Sequence, residues 1–483
     1  MGDVMRYIKI FFIAVLWLST LCATAQTSEL VKQLRAGSHM KHASIGIQIV
    51  DVDTRKVIAS HNATMALIPA SVTKTLTAAT VLKCYSPHKK WYTSVGYSGS
   101  IVDSVLYGDI IVRGSVDPSL ANDRSHRKQS EFIDAIVSAL QQSGVKAIMG
   151  DIIVDASICP MGGWGEWGAE DLGLNYGAGC YGVNYMGNEY QLYMHTDSVG
   201  TQPILLGTST PLHVVNFQNY LTTAEKDRSA VLINPYTTDC ILLGEVPALR
   251  DTFAIDCAMP DPPLVMAYDI ANAARCAGVA FEGELFTDRI LQLNGDTIPS
   301  ISTLLYSHAS DALEQMLRSM LRYSDNLYAE AMLRYVALSV DSVAHLASGL
   351  EAERKLWQNK GVSMAGVKLY DGSGLARKNQ MTPAFIASFL VEAYHDKTLG
   401  QSFVELLPRA GREGTVRAFM AKKPLPGVLR LKSGSMNGVL CYAGYYTEGD
   451  KTYAVVLMSN KHTCKNYTVR TRFEDFLRGI FAQ

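Results

Sequence analysis

Ile68-Pro69-Ala70-Ser71-Val72-Thr73-Lys74 reads as a loop that turns into a helix. Pro69 disfavours helix at the residue before it, and Ser71 suits a first turn or a cap. Leu76, Ala79 and Leu82 then follow on one side of a helical pattern. Ser71 and Lys74 stand three apart, which puts them on one helical face. A serine hydroxyl is a weak nucleophile until a base takes its proton, and a lysine one turn away can be that base. The stretch therefore asks what the rest of the chain supplies to such a pair.

Working outward, Ile45, Ile47 and Ile49 alternate with Gly46, Gln48 and Val50, the pattern of a half-buried strand. Val57 to Ser60 gives a second strand after a turn at Asp53-Thr54-Arg55. From about Trp91 the character changes to short strands and Gly/Asp turns, interrupted by one helix at about Gln129–Ser143 and another at Met266–Cys276. Helices return at Leu313, Met316, Leu317, Met320 and Leu321, an amphipathic stripe that breaks at Ser324-Asp325-Asn326 and resumes from Leu327 to Leu338. A loop at Asp371-Gly372-Ser373-Gly374 and a helix around Pro383–Tyr394 follow. Strands then run over Val428–Ser433, Cys441–Thr447 and Thr452–Ser459, the last two joined by a hairpin turn. A closing helix carries Phe473, Phe476, Leu477 and Ile480 on one face.

The reading is an α/β unit, an antiparallel sheet flanked by helices, interrupted by a large and mostly β insertion of one or two domains. Residues 1–25 are a signal peptide, 26–90 the first part of the catalytic domain, and 91–294 the inserted domains, with a second nested insert at about 165–262. Residues 295–483 are the second part of the catalytic domain.

Three short motifs carry the chemistry by their order and setting. Ser-x-x-Lys occurs at Ser38, Ser71, Ser86, Ser125 and Ser143, but only Ser71 opens a convincing apolar helix. Ser-x-Asn occurs at Ser60, Ser324 and Ser435, and only Ser324 sits in a break between helices. Lys432-Ser433-Gly434 falls on a strand. The ordered triplet is that of penicillin-binding proteins and class A β-lactamases.

On these motifs the chain resembles the class C low-molecular-mass penicillin-binding proteins, the D-alanyl-D-alanine carboxypeptidases/endopeptidases. Ser71 and Ser324 are about 250 residues apart, room for the large insertion that family carries between its first two motifs. The resemblance extends to Gly114–Leu120, Gly150–Asp155, Asp371–Arg377 with Thr382-Pro383, and Leu407–Gly411 with Gly414-Thr415. Ser115 and Val116 stand where the family usually has Gly, and Ser433 where it usually has Thr. The first departure lies in the insertion and the second keeps the hydroxyl.

The resemblance implies a penicillin-binding/β-lactamase-like transpeptidase fold and a serine DD-peptidase acting on peptidoglycan stem peptides, acylated by β-lactam antibiotics. Ser71 would be the nucleophile and Lys74 its base, made available by burial and by a second cation, Lys432. Ser324 would pass the proton to the leaving amine, and Asn326 would hold the substrate amide and fix Lys74. Lys432, with Ser433 and Gly434 beside it, would receive the substrate carboxylate. The N–H groups of Ser71 and Ser435 would form the oxyanion hole. Asp171 (or its neighbour Glu170) and Arg377 would hold the free end of the stem peptide's diamino acid, with Met436 lining that pocket. The Asp371–Gly374 stretch reads as a backbone turn near the site rather than a participant in chemistry.

The remaining signals set the address. Arg6 and Lys9 precede an apolar run from Ile10 to Leu18, and Ala23-Thr24-Ala25 is a small-x-small cleavage site, a secretory signal that points to the periplasm. No later stretch is long and apolar enough to cross a bilayer. Removing Cys22 with the leader leaves Cys84, Cys159, Cys180, Cys240, Cys257, Cys276, Cys441 and Cys464, as buried thiols or as one or two bridges. The eleven histidines show no metal-ligand spacing, and neither cofactor nor metal is expected. A formal charge of −1 gives no reason to expect nucleic acid. Trp164, Trp167, Tyr176, Tyr181 and Tyr185 form either the core of a small β domain or an aromatic sugar-binding surface. The alternatives to a DD-peptidase are a β-lactamase or esterase on the same scaffold, and a scaffold that binds cell-wall peptide without turnover.

Overall fold

The computed structural model of the chain describes residues 26–122, 129–160, 166–212 and 215–481. The leader, Trp164 and Ser125 lie outside the described residues.

A five-stranded antiparallel sheet organises the catalytic unit. Its strands are β1 (Ser44–Asp51), β2 (Val57–His61), β3 (Val428–Met436), β4 (Val439–Glu448) and β5 (Lys451–Asn460), in the order β2-β1-β5-β4-β3. The N-terminal strand β1 thus pairs with the C-terminal β5, with Ile47 opposite Leu457, while β2 forms the edge beside β1; on β3, Lys432 lies opposite Ala443 of β4. Glu448 and Lys451 face each other across the tight turn between β4 and β5.

The sheet is covered on both sides, so its central strands are apolar on both faces. Ile45, Ile47 and Ile49 of β1 join one core with Phe473, Phe476 and Leu477 of the closing helix, Asn466–Phe481. Ala443 and Val456 face the other core, with the helices α1 (Thr73–Cys84), α2 (Leu313–Tyr323), α3 (Asn326–Leu338), α4 (Leu346–Asn359) and α5 (Pro383–His395). The stripe read in α2 is buried in full: Leu313, Met316, Leu317, Met320 and Leu321. Each such burial contributes about 1.5–3 kcal/mol before chain entropy is charged against it.

The inserted region has its own core and sheets. One five-stranded sheet runs Leu285–Thr287, Ile152–Asp155, Ile110–Arg113, Tyr92–Tyr97 and Thr303–Ala309. Its parallel pairs are bridged by the helices Gln129–Gln142 and Pro262–Cys276, which pack on it as crossovers. The strand Thr303–Ala309, assigned from the sequence to the second catalytic part, pairs antiparallel with Tyr92–Tyr97 of the insert's sheet. The segment between residues 189 and 258 forms a three-stranded sheet of Glu189–Thr196, Ile204–Thr208 and Arg250–Ala258, and a second one from Asn216–Asn219, Ala230–Leu232 and Asp239–Leu243. All eight described cysteines are unbridged. Among the described residues no helix is long and apolar enough to cross a membrane.

Candidate active site

The Ile68–Lys74 stretch departs from a simple helix start. Ala70 takes a left-handed backbone (φ +47°), a short 3-10 turn covers Ala70–Val72, and α1 begins at Thr73. A non-glycine residue held there costs of order 1 kcal/mol and persists only where neighbours fix it. Ser71 caps nothing with its side chain. Its hydroxyl instead receives a hydrogen bond from Lys74 Nζ at 3.0 Å.

Lys74 is buried and donates to two further groups, Asn326 Oδ1 at 2.6 Å and the Ser373 carbonyl at 2.7 Å. Burial pulls its pKa from 10.5 down to about 8, while Asp371, Glu330 and Asp325 oppose that fall. A lysine shifted this far supplies a useful fraction of neutral amine near neutral pH, which an ordinary lysine does not.

The second motif is shaped by two helix ends. α2 stops at Ser324, which adopts the left-handed conformation (φ 63°, ψ 36°). Asp325 then caps α3, accepting from the Tyr328 N–H at 3.1 Å. The break points Ser324 and Asn326 to the same place. Ser324 Oγ receives Lys432 Nζ at 2.9 Å, and Asn326 Nδ2 donates to the Tyr176 carbonyl at 2.7 Å. Lys432 is buried on β3, and burial with the neighbouring Lys74 holds its pKa well below the usual lysine range. Ser433 Oγ donates to Thr415 Oγ1 at 2.7 Å, and Ser435 Oγ accepts from Asn466 Nδ2 at 2.7 Å. A Cβ on Gly434 would stand 2.5 Å from the Pro69 carbonyl oxygen and 2.9 Å from the Ser71 nitrogen. Glycine is thus what lets β3 lie against the Ser71 turn.

Above these groups opens a cavity of about 400 Å³. Ser71, Ser324, Asn326 and Ser435 line it together with Asp171, Arg377 and Met436, and also Tyr176, Leu375 and Asn437. Lys74, Lys432, Ser433 and Gly434 are buried around it. The arrangement holds a hydroxyl, an amine with a lowered pKa, a second hydroxyl bonded to a lysine, and a strand edge.

A sequence model of the D-Ala-D-Ala carboxypeptidase 3 (S13) family matches residues 26–478. The chain belongs to that family. It is a serine-type D-Ala-D-Ala carboxypeptidase. It is 23% identical over 474 residues to the D-alanyl-D-alanine carboxypeptidase DacB of Haemophilus influenzae, covering 95% of this chain and 94% of that one. It is 25% identical to the D-alanyl-D-alanine carboxypeptidase of an Actinomadura species, over 88% of this chain and 79% of that one. The crystal structure of penicillin binding protein 4 (dacB) from H. influenzae superposes with a TM-score of 0.79, at 22% identity, over 94% of this chain and 98% of the other. That likeness confirms the penicillin-binding-protein fold.

Several residues of this carboxypeptidase were not singled out from sequence. The Asp371–Gly374 stretch, read as a bystander turn, gives Lys74 the Ser373 carbonyl. Asp371 ties that turn together, accepting from the N–H groups of Gly374 (2.8 Å) and Ala376 (2.6 Å) and from Asn379 Nδ2 (2.7 Å). Gly374 (φ +82°) sits where a Cβ would meet the Ala70 carbonyl oxygen at 1.9 Å, so only glycine fits. The inserted region, read as free of catalytic spacing, also builds the wall. Trp167 Nε1 donates to Asp371 Oδ2 at 2.8 Å, and Tyr176 Oη donates to Asp171 Oδ1 at 3.2 Å. Burial raises the Asp171 pKa against that bond and against Arg377. Tyr181 and Tyr185 are buried core residues and offer no sugar-binding surface. Among the described residues no His, Cys, Asp and Glu cluster could hold a metal.

Proposed function

We propose that this carboxypeptidase cleaves the terminal D-Ala-D-Ala of peptidoglycan stem peptides through an acyl-enzyme on Ser71. The observation that carries the reading is the 3.0 Å contact between Lys74 Nζ and Ser71 Oγ at the floor of the cavity. Neutral Lys74 takes the hydroxyl proton as Oγ attacks the carbonyl between the two D-alanines. The oxyanion sits between the N–H groups of Ser71 and Ser435. Ser324, bonded to Lys432, relays a proton to the departing amine as the C–N bond breaks. Water then hydrolyses the ester.

Lys432 and Ser433 receive the free carboxylate, which separates this enzyme from a general esterase. Asn326 holds the substrate amide. Asp171, Arg377 and Met436 meet the diamino acid side chain, and their place on the same cavity as Ser71 supports that role. The same site serves D-Ala-diamino acid crosslinks as an endopeptidase, and β-lactams, which mimic the dipeptide, acylate Ser71. The leader-like pattern of residues 1–25 supports export to the periplasm. The division into a catalytic unit interrupted by inserted domains belongs to this proposal as well.

The test is to incubate the purified protein with labelled penicillin and follow the adduct by mass. The expected result is a persistent ester on Ser71 that is absent in Ser71→Ala, with the variant folded. Labelling that survives Ser71→Ala refutes the assignment, and rapid turnover of the adduct marks a β-lactamase instead.

A further inference from the structure

Neutral lysine has two N–H groups and one lone pair. For Lys74 to take a proton from Ser71, the lone pair must face Ser71 Oγ, and the two N–H groups must go elsewhere. The structure offers two fixed acceptors for them, Asn326 Oδ1 at 2.6 Å and the Ser373 carbonyl at 2.7 Å. The aim of the lone pair therefore depends on what holds those two oxygens still.

Asn326 is held at the first turn of α3. The Ser373 carbonyl belongs to a turn with no regular secondary structure of its own. What fixes it is a carboxylate one helical turn beyond Asn326. Glu330 Oε1 accepts from the Gly372 N–H at 3.0 Å and from the Ser373 N–H at 2.9 Å. The Glu330 side chain is fully buried, with Arg334 Nη1 3.9 Å from its Oε2. Thr77, on the helix that carries Lys74, donates to the Gly372 carbonyl at 2.8 Å and closes the turn from the other side.

We propose that Glu330 is a positioning residue for the reaction: it clamps the Gly372-Ser373 turn so that the Ser373 carbonyl, with Asn326, aims the Lys74 lone pair at Ser71. Asn326 and Glu330 stand four apart and share a face of α3, so one helix sets both anchors of the base. This deepens the proposed role of Lys74 and rests on it.

Glu330 acts on the charge of Lys74 as well as on its direction. Its carboxylate is one of the groups that oppose the fall in the Lys74 pKa, with Asp371 and Asp325. The charged and titratable groups around Glu330 are Asp371 on the clamped loop, Arg334 on its own helix, Glu353 on α4, and the Cys159 and Cys180 thiols beside Arg334. Burial, with Asp371, raises the Glu330 pKa to about 7, and Arg334 and the hydrogen bonds from Ser373 oppose that rise.

The experiment measures acylation by a chromogenic β-lactam across pH for the parent, Glu330→Gln, Glu330→Ala and Thr77→Val. Glutamine keeps an oxygen for the two N–H groups and removes only the charge, so the acid limb of acylation moves to lower pH. Alanine removes the clamp, and its plateau rate falls by about thirty-fold, the loss expected when a charge-assisted hydrogen-bond pair stops positioning the base. Thr77→Val lowers the plateau by a smaller factor and leaves the limb in place, because no charge is lost; it keeps the test open if the alanine variant does not fold. If the variants lose thermal stability yet their folded fraction acylates at the parental rate with the parental limb, Glu330 is structural and the proposal fails. If the parent itself does not acylate, the fault lies with the proposed function.

Discussion

Asn326→Asp tests the electrostatics of the site with almost no change of shape. It places a carboxylate where Asn326 Oδ1 now receives Lys74 Nζ at 2.6 Å. In the parent, Lys74 titrates at about 8, so about one molecule in ten carries the neutral base at pH 7 and about one in a hundred at pH 6. With an ordinary pKa of 10.5 the neutral fraction at pH 7 would be about three in ten thousand, so burial gives a gain of about 300-fold. A carboxylate in contact with a lysine favours the charged form, by about 1–3 pKa units for such neighbours. The acid limb of acylation should therefore move up from pH 8 by that amount, and the rate at pH 7 should drop by about ten- to a thousand-fold.

The assay is the second-order rate of acylation by a chromogenic β-lactam over a wide pH range, parent against variant. The parent profile should rise with unit slope and bend near pH 8. The variant should rise in parallel, bend later and approach its own plateau at alkaline pH. Asn326 Nδ2 also donates to the Tyr176 carbonyl at 2.7 Å, and that bond is lost, so the plateau itself falls. The position of the limb reports charge and the height of the plateau reports geometry. A variant that is slower by one factor at every pH, with its limb still near 8, would refute the claim that Lys74 is the base whose charge state limits acylation.

Gly434→Ala should leave the protein folded but slow acylation by at least about ten-fold, because the new Cβ meets the Pro69 carbonyl and the backbone nitrogens of Ser71 and Val72 within 3.0 Å and pushes β3 off the nucleophile turn; stopped-flow acylation checks this, and parental kinetics would show that the contact is slack. Glu353 is fully buried on α4, where Thr80 Oγ1 donates to it at 3.0 Å, and burial raises its pKa from 4.5 to about 8. The native state then holds a proton that the unfolded chain releases between those values, so this group makes stability fall as pH climbs from 4.5 to 8. Glu353→Gln should match the parent in thermal unfolding near pH 4 and exceed it above pH 8, by up to about 5 kcal/mol; equal pH slopes for the two proteins would show that Glu353 is not held neutral.

What was legible in the sequence was what repeats or recurs. The α2 stripe is periodic and is found where the period places it, and β1 and the three strands at the C-terminal end are found where the sequence places them. β1, read as half-buried from its alternation, is instead buried on both faces because the sheet is covered on both sides. α4 was not seen, and its buried positions explain why. They are Gly349, Glu353 and Trp357, spaced as a helix face but with only one large apolar member. The strand Thr303–Ala309 was missed because its partner, Tyr92–Tyr97, is some two hundred residues earlier, and pairing leaves no local mark. The same division holds at the site. Ser71, Lys74, Ser324, Asn326 and Lys432 sit in motifs with fixed spacing. Glu330, Thr77, Asp371 and Trp167 act through backbone groups or at long sequence distance, and a lone buried acid looks like any other acid in a sequence.

The segment before residue 180 reaches the Ser71 cavity directly, through Asp171 and Tyr176 in its lining and Trp167 behind it. Here Trp167 closes on Asp371, and the Tyr176 carbonyl takes the Asn326 Nδ2 that points away from Lys74. Asn326 has one side-chain oxygen and one nitrogen, and their assignment follows from these partners: only an oxygen can accept from Lys74, and only a nitrogen can donate to a carbonyl. The Tyr176 carbonyl therefore fixes which way the amide faces, and through it which oxygen Lys74 meets. A contact made by a segment so distant in sequence reaches Lys74 through two hydrogen bonds, Asn326 Nδ2 to the Tyr176 carbonyl and Lys74 Nζ to Asn326 Oδ1, and Ser71 through a third. On the proposed mechanism, a chain whose insert is destabilised should therefore lose the acid limb of acylation, measured with a chromogenic β-lactam, before it loses the antiparallel sheet, measured by circular dichroism; parental acylation in a chain with a locally unfolded insert would refute the coupling.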